Sequence, residues 1–192
     1  GLDRLKVAGG QQPARQHIIQ RADIRTRDAG DEPMSAAELV DQGKAALDAA
    51  HRLLGAWRDG AADADAPAPQ FREHGFAWAA AYVATLEATL DWVARLEAEQ
   101  RLGLLERRIA SAGFAEYLAQ LGHGIAMSQD EIIRPIHLGA DAAARAFLDE
   151  PAVAAFVTGA ALRSQMHAIV ALIGSGVGAG FGNAGYDETH AE

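Results

Sequence analysis

"FAWAAAYVATLEATLDWVARLEAEQ", residues 76–100, decides the fold class. Trp78, Tyr82, Leu86, Thr89, Val93 and Leu96 recur every three or four positions, so on a helix they form one stripe. Glu87, Asp91, Glu97 and Glu99, with Arg95 and Arg101, read as its solvated face. The i,i+4 pairs Asp91–Arg95 and Glu97–Arg101 would each add only about 0.2–0.5 kcal/mol. No Gly or Pro interrupts the stretch, and Gly103 punctuates its end.

The same period continues on both sides. Upstream, Ser35 and Glu38 form a capping box that opens a helix over Ser35–Arg58. Its stripe is Val40, Gly43, Leu47, Ala50, Leu54 and Trp57, and "DGAADADAPAPQ" (59–70) then reads as a loop. Downstream, Leu104–Gly122 reads as a third helix, with Leu105, Ile109, Ala112, Tyr117 and Leu121 near one face. In "HGIAMSQDEIIRPIHLG" (123–139), Ser128 and Glu131 form a second capping box that should open a short helix. Arg134-Pro135 should close it, because the residue before proline is pushed out of helical geometry. A minor helix over Ala140–Leu148 leads to Pro151, which suits the first turn of a fourth long helix, Ala152–Ile173. Val153, Phe156, Val157, Leu162, Met166, Ile169 and Ile173 make that helix apolar nearly all round, so it is expected to be the most buried. The expected fold is all-α: an up-and-down bundle of four long helices with one or two short ones.

Composition agrees. The 192 residues suffice for one domain with a core, and aromatics make up only 6%. Abundant Ala and sparse β-branched residues favour closely packed helices. A net charge of −9 argues against a nucleic-acid partner and gives an anionic membrane nothing to attract. The longest apolar run, 168–182, is Gly-broken and shorter than the roughly 20 residues of a membrane span. There is no cysteine, which excludes disulfides and thiolate chemistry and fits a reducing, cytoplasmic setting. Residues 1–33 carry 6 Lys/Arg against 5 Asp/Glu, whereas residues 34–192 carry 11 against 21. That shift marks 1–33 as a leader, disordered or non-native, with Met34 as the expected biological start.

Near the other end, "GSGVGAGFGNAG" (174–185) contains a formal GxGxxG at Gly180–Gly185. A dinucleotide cradle needs a strand before that motif, a helix after it and an acidic residue about 20 positions on. Here an apolar helix precedes it and seven residues follow, so it reads as a helix stop and linker.

Chemistry-bearing residues are sparse. Asp48 and His51 make one Asp-x-x-His pair, but no Glu-x-x-His is present, so a di-metal bundle is not supported and His51 reads as a boundary histidine. His123 lies between glycines at a helix C-terminus, where a cation is favoured. His167 reads as a buried core residue; Ser164 lies three positions away, but no orienting acid completes a nucleophilic set. Trp57, Trp78, Trp92 and Tyr82 read as core rather than pocket. No catalytic, cofactor-binding or metal-binding residue is assigned.

"FAEYLAQLGHGIAMSQDEIIRP" (114–135) resembles the N-terminal extension of the (2S)-methylsuccinyl-CoA dehydrogenases, a branch of the acyl-CoA dehydrogenase superfamily. Its most specific part is Met127-Ser128-Gln129 with Arg134-Pro135. "AWAAAYVATLEATLDWVARLEAE" (77–99) is also similar to that extension, and "YDETHAE" (186–192) to the start of the flavin-binding core. The resemblance implies an FAD-dependent parent enzyme that oxidises the Cα–Cβ bond of a branched acyl-CoA. A carboxylate would remove the α-proton and the flavin would accept hydride, both in a core outside this chain. It implies residues 34–173 as a helical accessory domain, 174–185 as a linker, the core of the same chain as partner, and a homo-oligomeric parent. The alternatives are a stand-alone helical interaction or oligomerisation protein, and, behind it, a small-ligand or metal-binding bundle.

Overall fold

The computed structural model describes residues 33–63, 68–157 and 159–176. The expected leader up to residue 32, the GxGxxG at 180–185 and the segment 186–192 lie outside the described residues.

The elements run α1 (Ala36–Ala61), α2 (Pro69–Ala98), α3 (Leu104–His123), a short hairpin β1 (Ile125–Ala126) and β2 (Ile132–Ile133), a 3₁₀ turn (Pro135–Leu138), α4 (Asp141–Leu148), α5 (Pro151–Val157) and α6 (Gly159–Gly174). The fold is all-α apart from the hairpin, as the helical periodicity requires. α1 starts at the capping box: Ser35 Oγ accepts from the Glu38 amide (3.2 Å), and a Glu38 carboxylate oxygen accepts from the Ser35 amide (2.9 Å). α2 begins at Pro69, seven residues before the expected 76. Proline needs no amide partner in a first turn, so the apparent loop breaker starts the helix. The expected fourth helix is described as α5 and α6, on either side of Thr158.

The buried lines of α1 and α2 mix small residues with large apolar ones. Leu39, Gly43, Ala46, Ala49, Ala50, Leu53 and Trp57 are buried on α1, and Gly75, Ala79, Val83, Leu86, Leu90, Val93 and Leu96 on α2. The bulkier Val40, Leu47, Leu54 and Tyr82 flank this line, only partly buried, and Trp78 is exposed. Of the two expected stripes, Gly43, Ala50, Trp57, Leu86, Val93 and Leu96 are buried; at the other places the buried residue is the immediate neighbour, Leu39, Ala46, Leu53, Ala79, Val83 or Leu90.

The most buried helix is α3, not the fourth. It packs on α1, α2, α4, α5 and α6. Ala110, Ser111, Ala112 and Ala115 leave room for neighbours on several sides, with Phe114, Leu118 and Leu121 filling the space between. Ile109, expected inside, is 43% exposed. In α5, Val153 and Phe156 are buried, and the Phe156 ring lies 5.1 Å from that of Phe114. In α6, Met166 and Ile173 are exposed, which corrects the expectation that the fourth helix is the core of the bundle.

Two further ties hold the ends. Arg72, buried on α2, donates through its two terminal nitrogens to the backbone carbonyls of Gly60 and His137, joining the end of α1 to the 3₁₀ turn. Arg52 on α1 donates to both carboxylate oxygens of Glu150, just ahead of α5, at 2.6 Å.

Candidate functional site

A ladder of rings crosses the outer side of α2 onto α3. His74, Trp78 and Tyr82 follow one another at i,i+4, the spacing that stacks side chains on one helix face. Trp78 Nε1 donates to His74 Nε2 at 3.0 Å. The Trp78 and Tyr82 rings meet edge-on at 6.3 Å, and Tyr82 meets Tyr117 of α3 at 4.6 Å. The Tyr82 hydroxyl donates to Gln120 Oε1 (2.8 Å), and Gln120 Nε2 donates to Glu116 Oε1 (2.7 Å). Burial, with Tyr117 and Glu116 nearby, pushes the Tyr82 hydroxyl above its ordinary pKa, so it remains a donor at neutral pH. Of these rings Tyr82 braces α2 against α3, through Tyr117 and Gln120.

The segment carrying the most specific motif folds back on itself. Ile125 pairs with Ile133 and Ala126 with Ile132, antiparallel. Ser128 Oγ accepts from the Glu131 amide at 3.2 Å, the contact a helix cap would make. The chain does not continue as a helix, because the Met127 amide donates to the Glu131 carbonyl (2.8 Å) and closes a turn. The expected short helix after Ser128 is thus a hairpin, set by the Ile-rich arms on each side. Ile133 points in against α2, while Ile132 and Ile136 are exposed. At Arg134-Pro135 the backbone is extended and then enters the 3₁₀ turn, with the Arg134 amide donating to His137 Nδ1 at 3.1 Å.

Between the hairpin and the start of α2 lies an open hollow of about 540 Å³, lined by Ala68, Pro69, Gln70, Phe71, His74 and Glu131. It does not fit a flavin dinucleotide. No glycine lines it to admit a pyrophosphate against backbone amides, and Glu131 would repel the phosphates.

The other candidates are dispersed. His51 Nε2 lies 2.8 Å from Glu87 Oε1, an α1–α2 surface pair, with Asp48 exposed a turn away. His123 is exposed at the last position of α3. His167 is exposed on α6 rather than buried, and Ser164 is partly buried there. Trp57 is fully buried and Trp92 partly so. Arg101 pairs with Glu99 at 2.9 Å and not with the expected Glu97. Among the described residues no three His, Asp or Glu side chains converge on a metal position, and no helix is long and apolar enough to cross a membrane. Arg72 was not a sequence candidate. Its only signal is a lone arginine two residues inside a proline-opened helix.

The described residues thus form a helical bundle in which Arg72, Tyr82 and Arg52 tie its elements together. No family model matches the chain. Over 70 residues, 36% of its length, it is 44% identical to the (2S)-methylsuccinyl-CoA dehydrogenase of Cereibacter sphaeroides. That supports a relationship to the acyl-CoA dehydrogenases, in agreement with the motif at 114–135. The aligned stretch spans only 13% of the relative's length.

Proposed function

We propose that the chain is the N-terminal accessory helical domain of an FAD-dependent, methylsuccinyl-CoA dehydrogenase-like enzyme. The Cα–Cβ oxidation of a branched acyl-CoA takes place on a core beyond residue 192. The observation that carries this reading is the 44% identity over 70 residues. Helix-to-helix bracing by Arg72, Tyr82 and Arg52 suits a rigid module that supports a neighbour. Flavin and acyl-CoA contacts and the α-proton base of a homo-oligomeric, cytoplasmic parent belong to that core, and the role of this domain is structural.

The test is flavin content and acyl-CoA turnover, measured on the 192-residue chain and on the native gene product. The expected result is a colourless, inactive 192-residue chain and a yellow native protein that oxidises a branched acyl-CoA. A flavin-loaded 192-residue chain would overturn the accessory role. A colourless native protein would favour the second reading, a helical interaction module without catalysis.

A further inference from the structure

Of the described long helices, α6 is both strongly apolar and open. Between Arg163 and Gly174, α6 carries no acidic residue, and its charged side chain is Arg163. Met166, Val170 and Ile173, at i, i+4 and i+7, are 50%, 67% and 58% exposed. Ala168, Ile169 and Leu172, on the side that meets α3, are only partly buried. A surface helix ordinarily turns charge outward. Single exposed apolar residues need no explanation, but a continuous stripe on a helix whose exposed polar side chains are Arg163 and His167 marks an interaction surface.

We infer that the Met166–Val170–Ile173 stripe of α6 is the seat on which the dehydrogenase core of the same polypeptide docks. This rests on the reading under Proposed function. Three quantities single out that occupant. The stripe offers on the order of 300 Å². Self-pairing would then bury about 600 Å² in total, well under the roughly 1,200–2,000 Å² of a stable association between free partners. A tethered partner needs far less, because a short linker holds it at about millimolar effective concentration. α6 ends 18 residues before residue 192, so a core that follows begins within about 60 Å of the stripe even at full extension. Finally, the lone Arg163 on an otherwise uncharged helix suits an apolar facing surface that carries a carboxylate.

Hydrogen exchange of residues 163–174, compared between the 192-residue chain and the native gene product, tests the docking. α6 amides should exchange at least about tenfold more slowly in the native protein. Val170→Asp in the native protein should restore fast exchange in α6 while leaving α1–α3 protected, which shows that the bundle still folds. Equal α6 exchange in the two proteins, or protection that survives Val170→Asp, would overturn the inference. Flavin content of the same native sample separates the failures: a yellow protein with unprotected α6 sinks only the docking, a colourless one the functional reading beneath it. Light scattering of the 192-residue chain should give a monomer. A dimer abolished by Val170→Asp would assign the stripe to a second copy and also overturn the inference.

Discussion

Gly75 on α2 and Ile133 on β2 are in such close contact that a β-carbon at Gly75 would lie 2.4 Å from Ile133 Cγ1. The hairpin bearing the Met127-Ser128-Gln129 motif is thereby seated directly on the α2 backbone. Alanine is worth about 1 kcal/mol more than glycine inside a helix. Overpacking a buried contact costs roughly 1–3 kcal/mol, and a branched, fully buried isoleucine cannot swing aside. Gly75→Ala should therefore destabilise by up to about 2 kcal/mol in urea unfolding. Ile133→Ala in that background should cost less than it does alone, a coupling of about 1 kcal/mol or more.

Arg72 gives a second expectation. Arg72→Met leaves the Gly60 and His137 carbonyls without their charged donor, a loss of about 1.5–3 kcal/mol. Arg72→Lys should recover less than half of it, since one ammonium cannot reproduce the two-pronged reach of a guanidinium. Guanidinium chloride melts of the three proteins check both values.

The capping box of α1 makes stability depend on pH in the acid range. Hydrogen bonds from the Ser35 backbone and side chain hold the Glu38 carboxyl below its ordinary pKa. A lowered folded pKa means its contribution is present above the unfolded value, near about 4.3, and is lost as pH falls through the folded value. Glu38→Gln should flatten that part of the pH–stability curve. Ser35→Ala should cost about 1 kcal/mol at neutral pH, measured by thermal unfolding.

Tyr82 acts at the opposite end of the scale. Its hydroxyl is raised by burial, so its contribution is present below about pH 10 and fades as pH rises through the folded value. Tyr82→Phe removes the 2.8 Å bond to Gln120, which should cost about 0.5–1.5 kcal/mol at neutral pH. Ultraviolet titration of the tyrosines should lose its latest-ionising component in that variant.

How much of this was legible in the sequence depends on which physical term dominates locally. Helical period and the Ser35 cap are local, and α1 and α3 appear where the spacing places them, to within a few residues at each end. The contact line in α1 and α2 was harder to read, because Ala46 and Ala79 contribute through the close approach they permit, and that has no hydrophobic signature. The Ser128 cap formed its local bond, but pairing of Ile125 with Ile133, eight residues apart, decided what followed. α6 misled most. Its apolar character was plain, but apolarity does not say whether the cover is the bundle's own core or another surface. The sequence offered no way to see that Arg72 would reach two carbonyls, since those partners lie 12 and 65 residues away.

The central claim is that this bundle serves a dehydrogenase core on the same polypeptide. The most direct measurement is the intact mass of the native gene product, with its flavin released and identified. The expected native product is a polypeptide far heavier than 20.2 kDa carrying FAD. A native product that ends at residue 192 and carries no flavin would contradict it.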